Sequence, residues 1–355
     1  MVPNRVAVAR GYLDRLGLDA ILVSNINNIR YLSGFTGSDG EVVISRDGLW
    51  FLTDSRYRTQ AGEQVSGFTV VEYRRKLEET ATLIKDQGFG KVGFEATSLT
   101  VAQHAILAVA LAPVELVSLP GEFDALRSVK DREELEALGI TAHLASQAFL
   151  DLVPEIRPGE TERRLALRLE WLLREAGADA ASFSFIVASG PRGGLPHANP
   201  TNRAIGYGEL VTFDFGGIRD GYCSDETVTV AVGSADLRQR EIYQVVLEAH
   251  DRAIGRVGPG VSCSDVDAAA RSYITARGFG DFFGHGTGHG VGLEVHEKPV
   301  ISFQSEEILE EGMVVTIEPG IYIPGWGGVR IEDTVCVTGD GCRILTKVPK
   351  ELMIL

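Results

Sequence analysis

Four acidic residues interrupt runs that otherwise read as apolar strands: Asp214 in ELVTFDFGG, Asp225 in GYCSDETVTV, Glu318 in MVVTIEPG and Glu332 in GVRIEDTVCV. A carboxylate in such a run is costly to bury unless its charge is offset. Four of them point to a cation. The histidines cluster as well, with His197 in GLPHANP and His285, His289 and His296 in GHGTGHGVGLEVHE. Five glycines from Gly284 to Gly292 leave these imidazoles uncrowded, so a small ligand can approach closely. An oxygen-rich set with one imidazole suits Mn2+, Co2+, Fe2+ or Zn2+ at two adjacent positions, a combination that activates water near neutral pH. A closed structural zinc site would use cysteine and histidine instead.

The segments that carry these residues occur twice. Pro158-Gly159 and Pro259-Gly260 each separate two helical stretches, and Gly177 and Gly278 stop the second helix, all at an offset of 101. Ser264-x-x-Asp267 reads as a capping-box variant opening the later helix. Strands follow, with Gly208–Gly216 matching Gly312–Gly320 at an offset of 104, and Gly221–Thr227 matching Gly328–Thr334 at 107. Each half thus holds one carboxylate near a strand end and another on the next strand. A pseudo-two-fold between the halves would bring all four acids together. In the first hairpin, a turn at Arg219-Asp220 sets Asp214 opposite Asp225, while a turn at Asp220-Gly221 sets them one diagonal step apart on one face.

The length, 355 residues, suggests two domains. Hydrophobic residues at 44% and charged residues at 23% describe a globular chain and exclude a largely disordered one. A net charge of −15 argues against nucleic acid as a partner. No apolar stretch approaches the ~20 residues needed to span a bilayer, so no membrane partner is expected. Arg5, Arg10, Asp14 and Arg15 make the amino-terminal stretch an amphipathic helix rather than a signal peptide. Cys223, Cys263, Cys336 and Cys342 form no C-x-x-C pair and read as reduced thiols of a cytoplasmic protein.

The first ~125 residues read as an α/β domain with no catalytic constellation. Its strands are expected at Ala20–Ser24, Val42–Ser45, Leu49–Leu52, Thr69–Glu72 and Val92–Glu95, with a hairpin turn at Asp47-Gly48 and a helix around Glu78–Gln87. The charge-dense segment Phe123–Leu138 opens a long helix running past His143 and Phe149, which places the domain boundary near residue 125. His104, His143 and His250 read as structural.

Asp214, Asp225, His289, Glu318 and Glu332 match, in order and context, the five ligands of the pita-bread metallopeptidases. That group includes methionine aminopeptidase, Xaa-Pro aminopeptidase and Xaa-Pro dipeptidase (prolidase). LPHANPTNR, VTFDFGG, HGTGHGVGLEVHE, TIEPGIY and GGVRIEDT resemble the proline-specific branch, and NNIRYLSGFTGSDG and LTDSRY resemble its amino-terminal domain. The resemblance implies an α+β architecture, with a creatinase/prolidase-like α/β domain over residues 1–125. A pita-bread catalytic domain with the internal repeat would follow over 126–355. It implies that Asp225 and Glu332 bridge two divalent ions, Mn2+ foremost, that Asp214 binds one, and that His289 and Glu318 complete the other.

His197, His285 and His296 would line the substrate cleft, Glu318 would also move a proton, and Arg330 would support the site beside Glu332. The activity implied is hydrolysis of the Xaa-Pro bond at a peptide's amino terminus by a homodimer. The alternatives are a methionine aminopeptidase-like exopeptidase and a non-catalytic peptide-binding protein on the same fold. One position departs from the branch: Val228 stands where Asp-x-Thr-Arg-Thr has arginine. Two bound divalent ions would leave a net charge of about −11.

Overall fold

The computed structural model describes residues 2–355, with side chains from residue 5 onward, and the chain divides into two compact units, Met1–Arg127 and Ser128–Leu355. The first unit is built on a six-stranded mixed sheet. Its spatial order is Thr69–Glu72, Leu49–Thr53, Glu41–Ser45, Ala20–Val23, Lys91–Glu95 and Glu115–Leu119. The first five coincide with the strands expected from their β-branched and aromatic runs. The sixth, ELVSL, is an edge strand whose residues are mostly exposed or half-buried, so no apolar alternation announced it.

The first hairpin turns at Arg46-Asp47 rather than at Asp47-Gly48, because Ser45 N–H donates to Gly48 O at 2.9 Å and closes the loop one residue earlier. Gly48 is there for a contact instead: a Cβ on it would lie 2.0 Å from the Trp50 ring. The long helix expected from Phe123 is also broken. One helix ends at Ser128, and Val129 and Lys130 run extended against Met313 and Gly312. The next helix begins at Arg132, where Asp131 accepts the N–H groups of Glu133 and Glu134 while Glu134 answers to Asp131 N–H. The charge run that resembled helix interior was therefore a capping box.

In the second unit the order is α1 (Arg132–Leu152), α2 (Glu162–Glu175), β1 (Ile186–Ser189), β2 (Glu209–Phe215), β3 (Glu226–Val232), α3 (Leu237–Ile254), α4 (Cys263–Ala276), β4 (Gly288–Gly290), β5 (Val314–Ile317) and β6 (Asp333–Thr338). The repeat governs this arrangement. Helices α2 and α4 are each 14 residues long, capped by Thr161 and Ser262, and followed by Gly177 and Gly278 at φ 109° and 85°. The cap of α4 is Ser262, not Ser264, and Asp267 is no capping residue at all but a buried acid on the helix. The strand order β3-β2-β1 recurs as β6-β5-β4 within a five-stranded sheet. Phe149, Phe213, Phe215 and Val228 centre one apolar core, and Val246, Val315, Ile317 and Val335 another. Among the described residues no helix is long and apolar enough to cross a membrane.

Candidate metal centre

Strand register decides how the acids meet. Asp214 pairs with Thr227 across β2 and β3, and the ladder continues to Ile218–Cys223 and Arg219–Tyr222. The turn is therefore Asp220-Gly221, with φ 49° and 77°, so Asp214 and Asp225 are diagonal neighbours rather than direct partners. In the second half Ile317 pairs with Asp333, and beyond them Gly320 pairs with Arg330. Glu318 and Glu332 lie between those rungs, so the same register sets them opposite each other.

These acids converge with one histidine. One oxygen each from Asp225 and Glu332 and one ring nitrogen of His289 lie within 4.8 Å of one another. His289 Nε2 is 3.6 Å from Asp225 Oδ2 and 3.4 Å from Glu318 Oε1. Asp225 and Glu332 are 5% and 2% exposed. Asp214 is turned partly to Arg330, whose Nη2 donates to its Oδ2 at 2.5 Å.

Burial, and then the charges of Glu332, Asp214 and Glu318, push the Asp225 carboxyl well above its usual range. Burial with Glu318 and Asp214 does the same to Glu332. Burial also lifts Glu318, although His285 and Arg330 pull it back. Burial holds His289 below its ordinary value. Its Nδ1 sits 3.1 Å from Gly290 O, to which it donates, and this turns Nε2 toward Asp225 and Glu318. Carboxyl oxygens and a ring nitrogen thus converge with no basic side chain among them. That donor set fits divalent metal and little else.

The surrounding contacts are reciprocal between the halves. Thr227 Oγ1 donates to Glu332 Oε2 at 2.7 Å, and its repeat mate Thr334 donates to the Asp225 carbonyl at 2.7 Å. Arg330 Nε donates to Thr227 Oγ1 at 3.1 Å, and Nη1 donates to Tyr322 Oη at 2.8 Å and to Pro196 O at 3.2 Å. His285 is tied into this chain. Its Nδ1 donates to Gly286 O at 2.7 Å, so its Nε2 accepts from Tyr322 O–H at 2.9 Å. His296 is exposed, its ring 4.3 Å from that of His289, and His197 is exposed on the Leu195–Asn199 loop.

Two buried acids hold the histidine-bearing loops from below, and sequence reasoning missed both. Glu162 accepts the N–H and hydroxyl of Ser189 (2.9 and 2.8 Å) and of Thr201 (3.0 and 2.7 Å), together with Arg192 Nε at 3.0 Å. Asp267 accepts the N–H and hydroxyl of Thr287 (3.1 and 2.8 Å), between His285 and His289. In sequence both look like ordinary acids of a first or second helical turn. Tyr322 was missed as well, for it reads as one more apolar strand residue in GIYI. The remaining histidines lie elsewhere: His104 packs its ring 5.0 Å from Phe94, His143 is exposed on α1, and His250 is buried with Nε2 3.2 Å from Asp333. Val228, 1% exposed, packs in the Phe213 core on the face of β3 away from Thr227.

Residues 136–339 match metallopeptidase family M24, which is more than half of the chain. The chain belongs to metallopeptidase family M24. Residues 5–129 match the creatinase/prolidase N-terminal domain that accompanies it here. The chain is similar to a structure titled Xaa-Pro dipeptidase from Bacillus anthracis, at 42% identity and TM-score 0.98 over 100% of both chains. It is similar to the X-Pro aminopeptidase from Thermotoga maritima MSB8, at 35% identity and TM-score 0.91 over 99% of each. It is also 37% identical to the Xaa-Pro dipeptidase of Pyrococcus furiosus, over 96% of this chain and 97% of that one. The chain thus joins a creatinase/prolidase N-terminal domain to a pita-bread domain of family M24, which is the repeated unit described above.

Proposed function

We propose that this M24 chain is an Xaa-Pro exopeptidase, a dipeptidase (prolidase) or an aminopeptidase, whose centre holds two divalent ions, Mn2+ foremost. The observation that carries this reading is the convergence of buried Asp225 and Glu332 and half-buried Glu318 on the His289 ring nitrogen within a few ångströms. Asp225 and Glu332 would be shared by both ions, Asp214 would serve one, and His289 with Glu318 the other. When bound there, the ions supply a water that ionises near neutral pH and a polarised scissile carbonyl.

The chain's own groups do the rest. His296 and His197 are exposed and free to meet a peptide, so their ring N–H groups stabilise the oxyanion as it develops. Glu318, beside the centre, would carry a proton to the leaving nitrogen. Proline's imide nitrogen has no hydrogen and must gain one to depart as a secondary amine. His285, with both ring nitrogens engaged, orients Tyr322 and through it Arg330, which in turn aims Asp214.

The same reading assigns residues 1–125 to the creatinase/prolidase-like domain and 126–355 to catalysis. It includes a cytoplasmic homodimer, and four free cysteines fit a reducing compartment. The test is product analysis after Mn2+ reconstitution, on Xaa-Pro, Xaa-Pro-Yaa-Zaa and Met-Ala peptides. Cleavage of Xaa-Pro alone gives the dipeptidase, and release of the first residue from the longer peptide gives the aminopeptidase. Turnover of Met-Ala peptides with neither proline substrate cut, or metal binding with no turnover at all, overturns the reading.

A further inference from the structure

The two acids at the heart of the centre are each followed by a second acid, Asp225 by Glu226 and Glu332 by Asp333, and these too are repeat mates. Successive residues of a strand point to opposite faces. Asp225 and Glu332 therefore face the centre, while Glu226 and Asp333 face away from it, 0% and 3% exposed. Two buried carboxylates sit back to back with two others, and each pair joins the two halves of the repeat.

What meets the rear pair is the carboxy-terminal segment. Lys350 Nζ lies 2.6 Å from Glu226 Oε1 and 3.3 Å from Asp333 Oδ1, its side chain only 10% exposed. Val348 N–H donates to Glu226 Oε1 at 3.1 Å, Ser146 Oγ to Glu226 Oε2 at 2.6 Å, and Thr346 Oγ1 to Asp333 Oδ1 at 2.5 Å. His250 Nε2 stands 3.2 Å from Asp333 Oδ2. The segment is anchored at both ends, by Leu345 N–H on Thr334 O at 2.9 Å and by Tyr243 Oη on Lys350 O at 2.7 Å. Lys350 is thus a fixed cation between two strands whose adjacent residues are the acids of the centre.

We propose that Lys350 is a positioning residue for the metal centre: by drawing Glu226 and Asp333 together from behind, it sets the spacing of Asp225 and Glu332 in front. This rests on the reading of Asp225 and Glu332 as shared ligands. Without the ammonium, the rear carboxylates repel and spread β3 from β6, and the front carboxylates separate with them. Nearby groups that orient ligands without touching the metal act in this way elsewhere, and their loss weakens metal binding about 10- to 100-fold.

The experiment is calorimetric titration of Mn2+ into the metal-free full-length chain, with circular dichroism melts of the same samples. The wild type is expected to bind two ions, and Lys350→Met to bind them with a Kd raised about tenfold or more. Adding Glu226→Gln and Asp333→Asn to Lys350→Met removes the repulsion and is expected to recover most of that loss. An unchanged Kd in Lys350→Met, or a lowered melting temperature with no change in Kd, overturns the proposal. So does failure of the triple variant to recover affinity. Should Lys350→Met not fold, Lys350→Arg keeps the charge but changes its reach, and its Kd must still move. Wild-type protein that binds no Mn2+ would instead overturn the metal-centre reading itself.

Discussion

Asp225 shows how much of the chemistry rests on single side chains. Its carboxylate is buried among like charges and is positioned through Thr334 and the β2–β3 register. Asp225→Asn keeps the shape but removes one of the charges that make metal the favoured occupant. Metal-dependent turnover of Xaa-Pro should fall to background in this variant, and near-normal activity would exclude Asp225 as a ligand. The same charges set a pH dependence. Asp225, Glu332 and Glu318 have carboxyls raised above their unfolded values, which are about 4. A raised group stabilises the metal-free fold below that value, and its contribution is lost as pH rises through the folded value. The metal-free chain should therefore lose stability over this interval, and Mn2+ should restore it. Melting temperatures with and without Mn2+ should diverge as pH rises from about 4. Parallel curves would mean that the cluster holds no proton for metal to displace.

At the level of elements, the loops that carry His197 and His285 are fixed by helices rather than by their own turns. Glu162 at the start of α2 satisfies five donors beneath the His197 loop. Glu162→Ala would leave those donors buried and unmatched, at a cost of about 3–5 kcal/mol. A urea titration should show the lowered midpoint, Glu162→Gln should recover part of it, and an unmoved midpoint in the alanine variant would show that the loop holds itself. The repeat of these elements was legible because Pro-Gly breaks and terminal glycines leave marks in any sequence. The cap at Ser262 and the helix break at Val129–Lys130 were less legible. Ser262 and Ser264 offer the same chemistry two residues apart, and a capping box inside a charged run resembles helix interior.

For the whole molecule, each unit has its own core, the first around Leu22, Val43 and Leu52 and the second around the two strand sets of the repeat. A ligand that binds one folded unit stabilises that unit by mass action. Chelation should therefore speed amide hydrogen exchange in β2, β3, β5 and β6 while leaving the six-stranded sheet unchanged, as mass spectrometry can read. Equal acceleration in both units would mean that metal stabilises the chain as one cooperative body. By itself the sequence determined the chemistry and its duplication. Acids in apolar strands are costly enough to point to a site, glycine and proline punctuate a repeat wherever they stand, and five spaced candidate ligands in their motifs resemble those of a family. The tertiary structure decided the choice between two hairpin registers, because both put Asp214 and Asp225 on one face and only the ladder itself tells opposite from diagonal. It also decided which acids meet the centre from the front and which meet Lys350 from behind. Sequence cannot show that, for Glu226 and Asp333 differ from their neighbours only in the direction they point.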